Sequence, residues 1–251
     1  MIAGCSQGPT IEDQNRSFKR YENSNLGGML VKDYLLARTA LVMNGDIKIG
    51  SNALMEQGRW KIDHGSALST GVACAISPDG YFISAKHVIE APETELVYFT
   101  NHGPKISGIR IIESLDSHDL VLFKSDLKTK YFFPITPVRS PAGLDVISGG
   151  FSVNSNSAGK LIVERKERTN GTQTENVQIS ILKSTLPLRK GDSGGPLIDD
   201  KGILRGINSL VPIFYNLQKD PVSYHFFPSY DWLNTRIQKD RIEQIQKKRT
   251  Y

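Results

Sequence analysis

Short apolar runs, each closed by a glycine, proline or aspartate turn, limit this chain to few architectures. Strand-like runs lie at Thr39 to Met43, bounded by Asn44-Gly45, and at 71 to 76, 81 to 85, 95 to 99, 106 to 112 and 119 to 124. No long helical pattern separates them, so a parallel sheet with its helical crossovers is disfavoured and an all-β barrel or sandwich is predicted. Their number suits one six-stranded barrel. Pro134, Pro137 and Pro141 then mark a crossing segment, because proline cannot donate to a central strand ladder. The second half repeats the pattern with Asp145 to Ile147, and with Lys160 to Arg165 and Asn176 to Leu182 read as a hairpin around Asn170-Gly171. Pro196 to Ile198 and Ile203 to Ser209 follow, joined by Asp199-Asp200-Lys201-Gly202. Met29 to Leu36 has no clear period. The last element opens at Ser229, a helix N-cap, with Asp231 in the first turn and Trp232, Leu233 and Ile237 on one face. Ile242 and Ile245 leave that stripe, so the outer half is predicted to fray.

The stretch Gly191-Asp192-Ser193-Gly194-Gly195-Pro196-Leu197 places a hydroxyl nucleophile between glycines. A tight turn of that kind aims neighbouring backbone N–H groups at one spot, which is what acyl transfer needs for its oxyanion. Such a serine also needs a base and a group that orients the base. His87 closes the run Tyr81-Phe82-Ile83-Ser84-Ala85-Lys86-His87-Val88 after a Pro78-Asp79-Gly80 turn, and Asp119 opens Asp119-Leu120-Val121-Leu122-Phe123. His64, His102, His118 and Asp116 are expected to be exposed loop residues, and His225 lies among aromatics and prolines, where a packed side chain is expected.

These motifs, in the order His87, Asp119, Ser193, resemble those of the trypsin-like, chymotrypsin-fold serine peptidases of bacterial type. Fewer than 45 residues follow Ser209, so the resemblance is to the protease domain of HtrA/Deg-type enzymes without a PDZ domain. It covers roughly residues 36 to 245. It implies an all-β fold of two six-stranded antiparallel β-barrels and a C-terminal α-helix packed on the second barrel. The expected bounds are a flexible segment over 1–28 and a peptidase domain over 29–251. Within that domain the N-terminal barrel would occupy about 36–130, the C-terminal barrel about 140–228 and the helix about 229–248.

By resemblance, His87 takes the Ser193 proton and Asp119 fixes the imidazole tautomer. The N–H groups of Gly191 and Ser193 form the oxyanion hole, Ser209 bonds the aspartate, and Ser209, Leu210 and Val211 pair with substrate backbone. The implied function is a serine endopeptidase working on polypeptides. A catalytically silent domain of the same fold, used for peptide binding or scaffolding, is the alternative, although a binding module has no need of all three side chains. Where trypsin itself carries the aspartate that receives Arg or Lys, this chain has Pro187, flanked by Leu186 and Leu188. Burying an unpaired cation there is costly, so cleavage after uncharged aliphatic residues is expected, with Pro187 and Leu188 lining the pocket. Arg189 and Lys190 leave a glutamate preference as the second choice. No Ile-Val-Gly-Gly-like start precedes His87 at the distance zymogen activation requires, and Arg38-Thr39 is a weak processing site. Asp192 is therefore expected to be exposed or paired with a resident base.

A balance of 31 basic and 26 acidic residues gives +5, with much of the excess at Lys239, Arg241, Lys247, Lys248 and Arg249. No nucleic-acid motif accompanies it, and a solvated helix face is the expected role. No cofactor is expected, and no His, Cys, Asp or Glu cluster has metal-ligand spacing. Two cysteines make no disulfide framework; Cys74 reads as a buried small hydrophobe, and a bridge to Cys5 has nothing to support it. Ile2-Ala3-Gly4-Cys5 resembles a bacterial lipobox without the basic and apolar parts of a leader. Either Cys5 carries a lipid anchor on a periplasmic, membrane-tethered protein, the one membrane association expected, or the match is chance and the protein is cytoplasmic.

Overall fold

A computed structural model describes residues 25–44, 47–48, 55–56, 59–64, 69–89, 94–100, 103–137, 143–155, 160–178, 181–186, 188, 191–210, 223–226 and 228–249. The first half is a closed barrel of β1 (Thr39–Asn44), β2 (Ser69–Ala75), β3 (Tyr81–Ala85), β4 (Thr94–Thr100), β5 (Gly103–Leu115) and β6 (Leu120–Ser125), in the order β5-β6-β3-β2-β1-β4. Strands β1, β2, β3 and β6 are buried over most of their length on both faces, which explains their largely apolar character, whereas β5 is partly exposed along its length. Ala73, Ala75, Phe82, Val121 and Phe123 share one cluster, with the rings of Phe82 and Phe123 stacked 5.9 Å apart. Residues of the opposite parity, Cys74, Ile83, Leu120 and Leu122, join a second cluster with Ile198, Leu204 and Ile207 of the other half. Side chains alternate across a strand, so one ladder serves both the barrel interior and the seam between the halves.

The second half comprises β7 (Asp145–Ser155), β8 (Lys160–Gln178), β9 (Ile181–Ser184), β10 (Pro196–Asp199), β11 (Leu204–Leu210) and β12 (Ser223–Phe226). In place of an expected second closed six-stranded barrel, these strands belong to a nine-stranded sheet. Its order is β7-β10-β11-β12-β9-β8, then Arg59–His64 and Ile47–Lys48, with Met55–Glu56 paired to Arg59–His64; β7 and β8 also pair with each other. The extension arises because the β7–β8 hairpin is long, so the outer edge of β8 at Lys160–Glu164 receives Arg59–His64 from the first half. Asn170-Gly171, expected to reverse the chain, lies inside β8 with Gly171 opposite Val146. A register shift between Val146 and Ser148 falls beside it, so this pair accommodates a bulge, the other common use of glycine in a strand.

Two helices strap the halves together. α1 (Val31–Leu36), which the sequence pattern did not disclose, precedes the barrel but sends the Tyr34 hydroxyl to the Gly202 carbonyl at 2.9 Å and packs Leu35 against Gly149 of the second half. α2 (Tyr230–Arg249) follows the second half and takes its polar anchors from the first barrel. Asp240 accepts two hydrogen bonds from Arg110, at 2.8 and 2.9 Å, and one from the Tyr81 hydroxyl at 2.7 Å, while Arg241 grips Asp79 through two more. The helix expected on the second barrel is thus ion-paired to the first. Ser229 caps it through Trp232 N–H at 3.4 Å, and it continues to Arg249 with Ile242 and Ile245 exposed. Cys74 is a buried free thiol. No described helix is long and apolar enough to cross a membrane.

The Arg110 hydrogen bonds hold the Asp240 carboxyl below its usual range against the effect of burial, and Tyr81 adds to them. The folded value is depressed, so this stabilisation is complete above the unfolded value and is lost as pH falls through the folded one. Because Arg110 is half exposed, Asp240→Asn is expected to cost about 2 kcal/mol near pH 7, less than a fully buried pair would. Urea unfolding of parent and variant across pH checks this: the gap should close below about pH 4.

Candidate active site

The register of β3 and β6 sets up the first contact. Ala85 lies opposite Leu120, so the turns that flank these residues, Lys86–Val88 and Asp116–His118, bring His87 and Asp119 side by side. Lys86 N–H bonds the Asp119 carbonyl at 2.9 Å, and His87 N–H bonds Asp119 Oδ1 at 3.0 Å. The imidazole Nδ1 then stands 2.7 Å from Oδ2. Asp119 has φ 46° and ψ 41°, and among the described residues it is the one non-glycine residue at positive φ. Backbone in that region is a few times more accessible to aspartate than to most residues and still costs on the order of 1 kcal/mol or more, held here by the bonds just named.

Ser209 supplies a further donor to Asp119 Oδ2. It sits at a register shift between β11 and β12, where Asn208 faces His225 and Leu210 faces Tyr224, leaving Ser209 as the extra residue. A bulge there re-aims its side chain towards the carboxylate. Burial pushes the Asp119 carboxyl up, but the hydrogen bonds from His87 and Ser209 outweigh it and the net shift is downward. The same Asp119 bond raises the His87 imidazole, more than its partial burial lowers it.

Ser193 is delivered by a turn that only glycine can build at two points. Gly191 has φ +92° and Gly194 φ +80°, and a Cβ on Gly194 would strike the Val72 carbonyl and the Ser84 hydroxyl. The turn is stitched from both sides. On the first barrel, Val72 N–H bonds the Ser193 carbonyl at 2.8 Å. On the second half, Gly194 N–H bonds the Asn208 carbonyl at 2.7 Å and Asn208 N–H bonds the Gly195 carbonyl at 2.8 Å. Gly71 packs directly on Val88, next to His87, and on the Ser193 carbonyl, so a side chain there would wedge the two apart. Among the described residues no hydrogen bond joins the Ser193 hydroxyl to His87, and no protein acceptor takes the N–H of Gly191 or Ser193.

The other expected site residues are placed as follows. Leu188 is buried with Leu186 against Val146, Leu182 and Leu197. Leu210 pairs with Tyr224, while the pairing of β11 to β10 stops at Ile207 and leaves the far edge of β11 without a strand partner among the described residues. Pro187 and Val211 lie outside the described residues, as do Arg189, Lys190, His102 and Cys5. Asp192 is not exposed: it is buried, its Oδ1 against Gly150. Thr39 is buried and Arg38 is held by the carbonyls of Tyr34 and Phe132, so the Arg38-Thr39 bond is no accessible loop. His118 bonds Ser117, Asp116 pairs with Lys86, and His64 ends a strand paired to Ile47. His225 is wholly buried, and burial pushes its imidazole down to about 3, so it is a neutral core residue. Among the described residues no group of three or more His, Cys, Asp or Glu side chains is placed to hold a metal ion. Gly71, Asn208 and His225 contribute to the site without a local motif to announce them.

Comparison with known proteins gives one family. Residues 69–207 match a family model described as a trypsin-like peptidase domain. A probable periplasmic serine endoprotease, DegP-like, of Pseudomonas savastanoi pv. phaseolicola is 27% identical over 148 residues, which are 57% of this chain and 29% of that protein. The chain therefore spans under a third of that relative's length. The crystal structure of the serine endoprotease from Yersinia pestis superposes with a TM-score of 0.53 at 22% identity, over 84% of this chain and 65% of the other. The HtrA-type protease AlgW, solved with a decapeptide, gives 0.56 at 16% identity over 82% and 66%.

Asp119→Asn should lower the pH at which the His87 imidazole titrates, because the bond that raises it loses its charge. Following the ring resonances by NMR across pH checks this; an unmoved midpoint would refute the assigned cause.

Proposed function

Because the chain belongs to the trypsin-like peptidase domain family, we propose that it is a serine endopeptidase of the bacterial HtrA type, with His87, Asp119 and Ser193 as its triad. The observation that carries this reading is the Asp119 carboxylate, which takes two bonds from His87 and a third from Ser209 beside a glycine turn that presents Ser193. With Nδ1 donating to Asp119, the His87 imidazole keeps its Nε2 lone pair for the serine proton. Ser193 attacks the scissile carbonyl, and the N–H groups of Gly191 and Ser193 receive the oxyanion. The imidazolium, balanced by Asp119, returns its proton to the leaving amine, and water then releases the acyl-enzyme by the same route.

The cleft runs between the first barrel, with His87 and Asp119, and the second half, read as the second barrel through its β7–β8 pairing. Substrate backbone would extend β11 at Ser209, Leu210 and Val211, where the pairing to β10 has ended. Pro187 is flanked by Leu186 and Leu188, both buried, and no acidic side chain adjoins it in sequence, which supports cleavage after uncharged aliphatic residues. A periplasmic location accords with the DegP-like relative, and a lipid on Cys5 would tether the domain there.

A fluorophosphonate probe should label the parent, and Ser193→Ala should abolish labelling and lower kcat/KM roughly 10⁵-fold or more. An unlabelled, well-folded parent would favour the peptide-binding alternative. The acid limb of kcat/KM against pH should lie above the ordinary imidazole value of 6.5, since the raised His87 is the group that must be neutral. A peptide library should return aliphatic residues before the cleaved bond; dominance by Arg or Lys would overturn the pocket assignment.

A further inference from the structure

Behind the nucleophile's turn lies a file of buried polar side chains that the triad does not use. Ser184, His225, Asn208 and Ser148 are all fully buried, and they come from four strands of the second half. Ser184 Oγ and His225 Nε2 are 2.7 Å apart, and His225 Nδ1 and Asn208 Oδ1 are 2.9 Å apart. The Asn208 amide nitrogen reaches Ser148 Oγ at 2.8 Å and the Asp192 carbonyl at 3.1 Å. Proton bookkeeping fixes the direction of every bond. A carbonyl cannot donate, so the Asn208 NH₂ must face Asp192 and its Oδ1 must face His225. The His225 Nδ1 then carries the proton, and Nε2 accepts from the Ser184 hydroxyl. Burial keeps that imidazole neutral, as this arrangement requires.

The Asp192 carbonyl belongs to the same peptide unit as the Ser193 N–H. In a planar trans peptide the two point in opposite directions. Two donors converge on that carbonyl, Gly195 N–H at 3.0 Å and the Asn208 amide, and so fix the plane of the peptide from behind. We propose that Asn208, itself oriented by His225, is a positioning residue that aims the Ser193 N–H into the cleft as an oxyanion donor. Bonds to the carbonyl also polarise the unit and strengthen the N–H as a donor. The inference rests on the peptidase reading of Ser193, but the hydrogen-bonded file exists whatever the chemistry.

Asn208→Ala leaves the Asp192 carbonyl with one donor, and the expected result is a fall in kcat of roughly 10²-fold with KM nearly unchanged, the loss of one oxyanion donor. The acid limb of the pH profile should stay in place, because His87 and Asp119 are untouched. Within the second pair, His225→Phe should lower kcat about tenfold, and His225→Gln, which restores an amide donor towards Asn208, should recover most of it. If Asn208→Ala does not fold, the His225 pair decides: equal kcat in both variants overturns the proposal. A folded Asn208→Ala with kcat within twofold of the parent does so too. A readout independent of turnover accompanies these. The Asp192 carbonyl ¹³C resonance should move upfield in Asn208→Ala and His225→Phe, whichever folds, and lie near its parent position in His225→Gln; if it stays still in the first two, the bond does not hold the peptide and the proposal fails even in an active enzyme. A parent that takes no fluorophosphonate while this resonance moves would instead count against the peptidase reading and leave the positioning role standing.

Discussion

Two sets of backbone hydrogen bonds hold one turn from opposite sides, and the geometry of the site follows from them. Val72 fixes the Ser193 carbonyl to the first barrel, and Asn208 exchanges bonds with Gly194 and Gly195 on the second half. Each such bond contributes only about 1 kcal/mol net, yet in a buried seam any one left unmade costs more than that. The turn therefore has no low-cost alternative position while the halves stay packed. Close approach is the condition for all of it, and it explains the glycines: Gly194 lies against the Val72 carbonyl and Gly195 against the Asn208 amide, where no side chain fits.

How far the sequence reveals this depends on whether the constraint is local. β2, β3 and β6 were legible as strands because burial on both faces leaves apolar runs at Val72–Ala75, Phe82–Ala85 and Leu120–Phe123, interrupted only by Ser84. His87 and Asp119 were legible because the ends of paired strands meet whatever loops intervene. Non-local choices were hidden. The six residues of α1 are too few for a period to show, and their apolar side chains answer to Gly149 and Gly202, far along the chain. Asn170-Gly171 has the chemistry of a tight turn, but ladder bonds on both sides of β8 outweighed that preference and kept the strand running. The bulge at Ser209 is a property of the pairing with β12 and leaves no mark on β11 alone.

The polar interior of the second half is as informative as its apolar core. His225 would be read from sequence as a packed aromatic-like residue, and it is packed; its contribution lies in which proton it holds. Buried polar chains of this kind are stabilising only when every member is satisfied, so they specify one arrangement and tolerate few others. The Asp119 carboxylate works by the same logic at the rim of the cleft, where three donors offset the cost of its partial burial.

The straps at the two ends of the chain bear on how the groove can breathe. α1 is fastened to Gly202 of the half it does not belong to, and α2 is fastened through Asp240 and Arg241 to the barrel that preceded it. A clamshell opening would have to release both fastenings at once. Sliding along the seam would stretch the same bonds, together with the one from Val72 N–H to the Ser193 carbonyl, so the groove is set to hold one width.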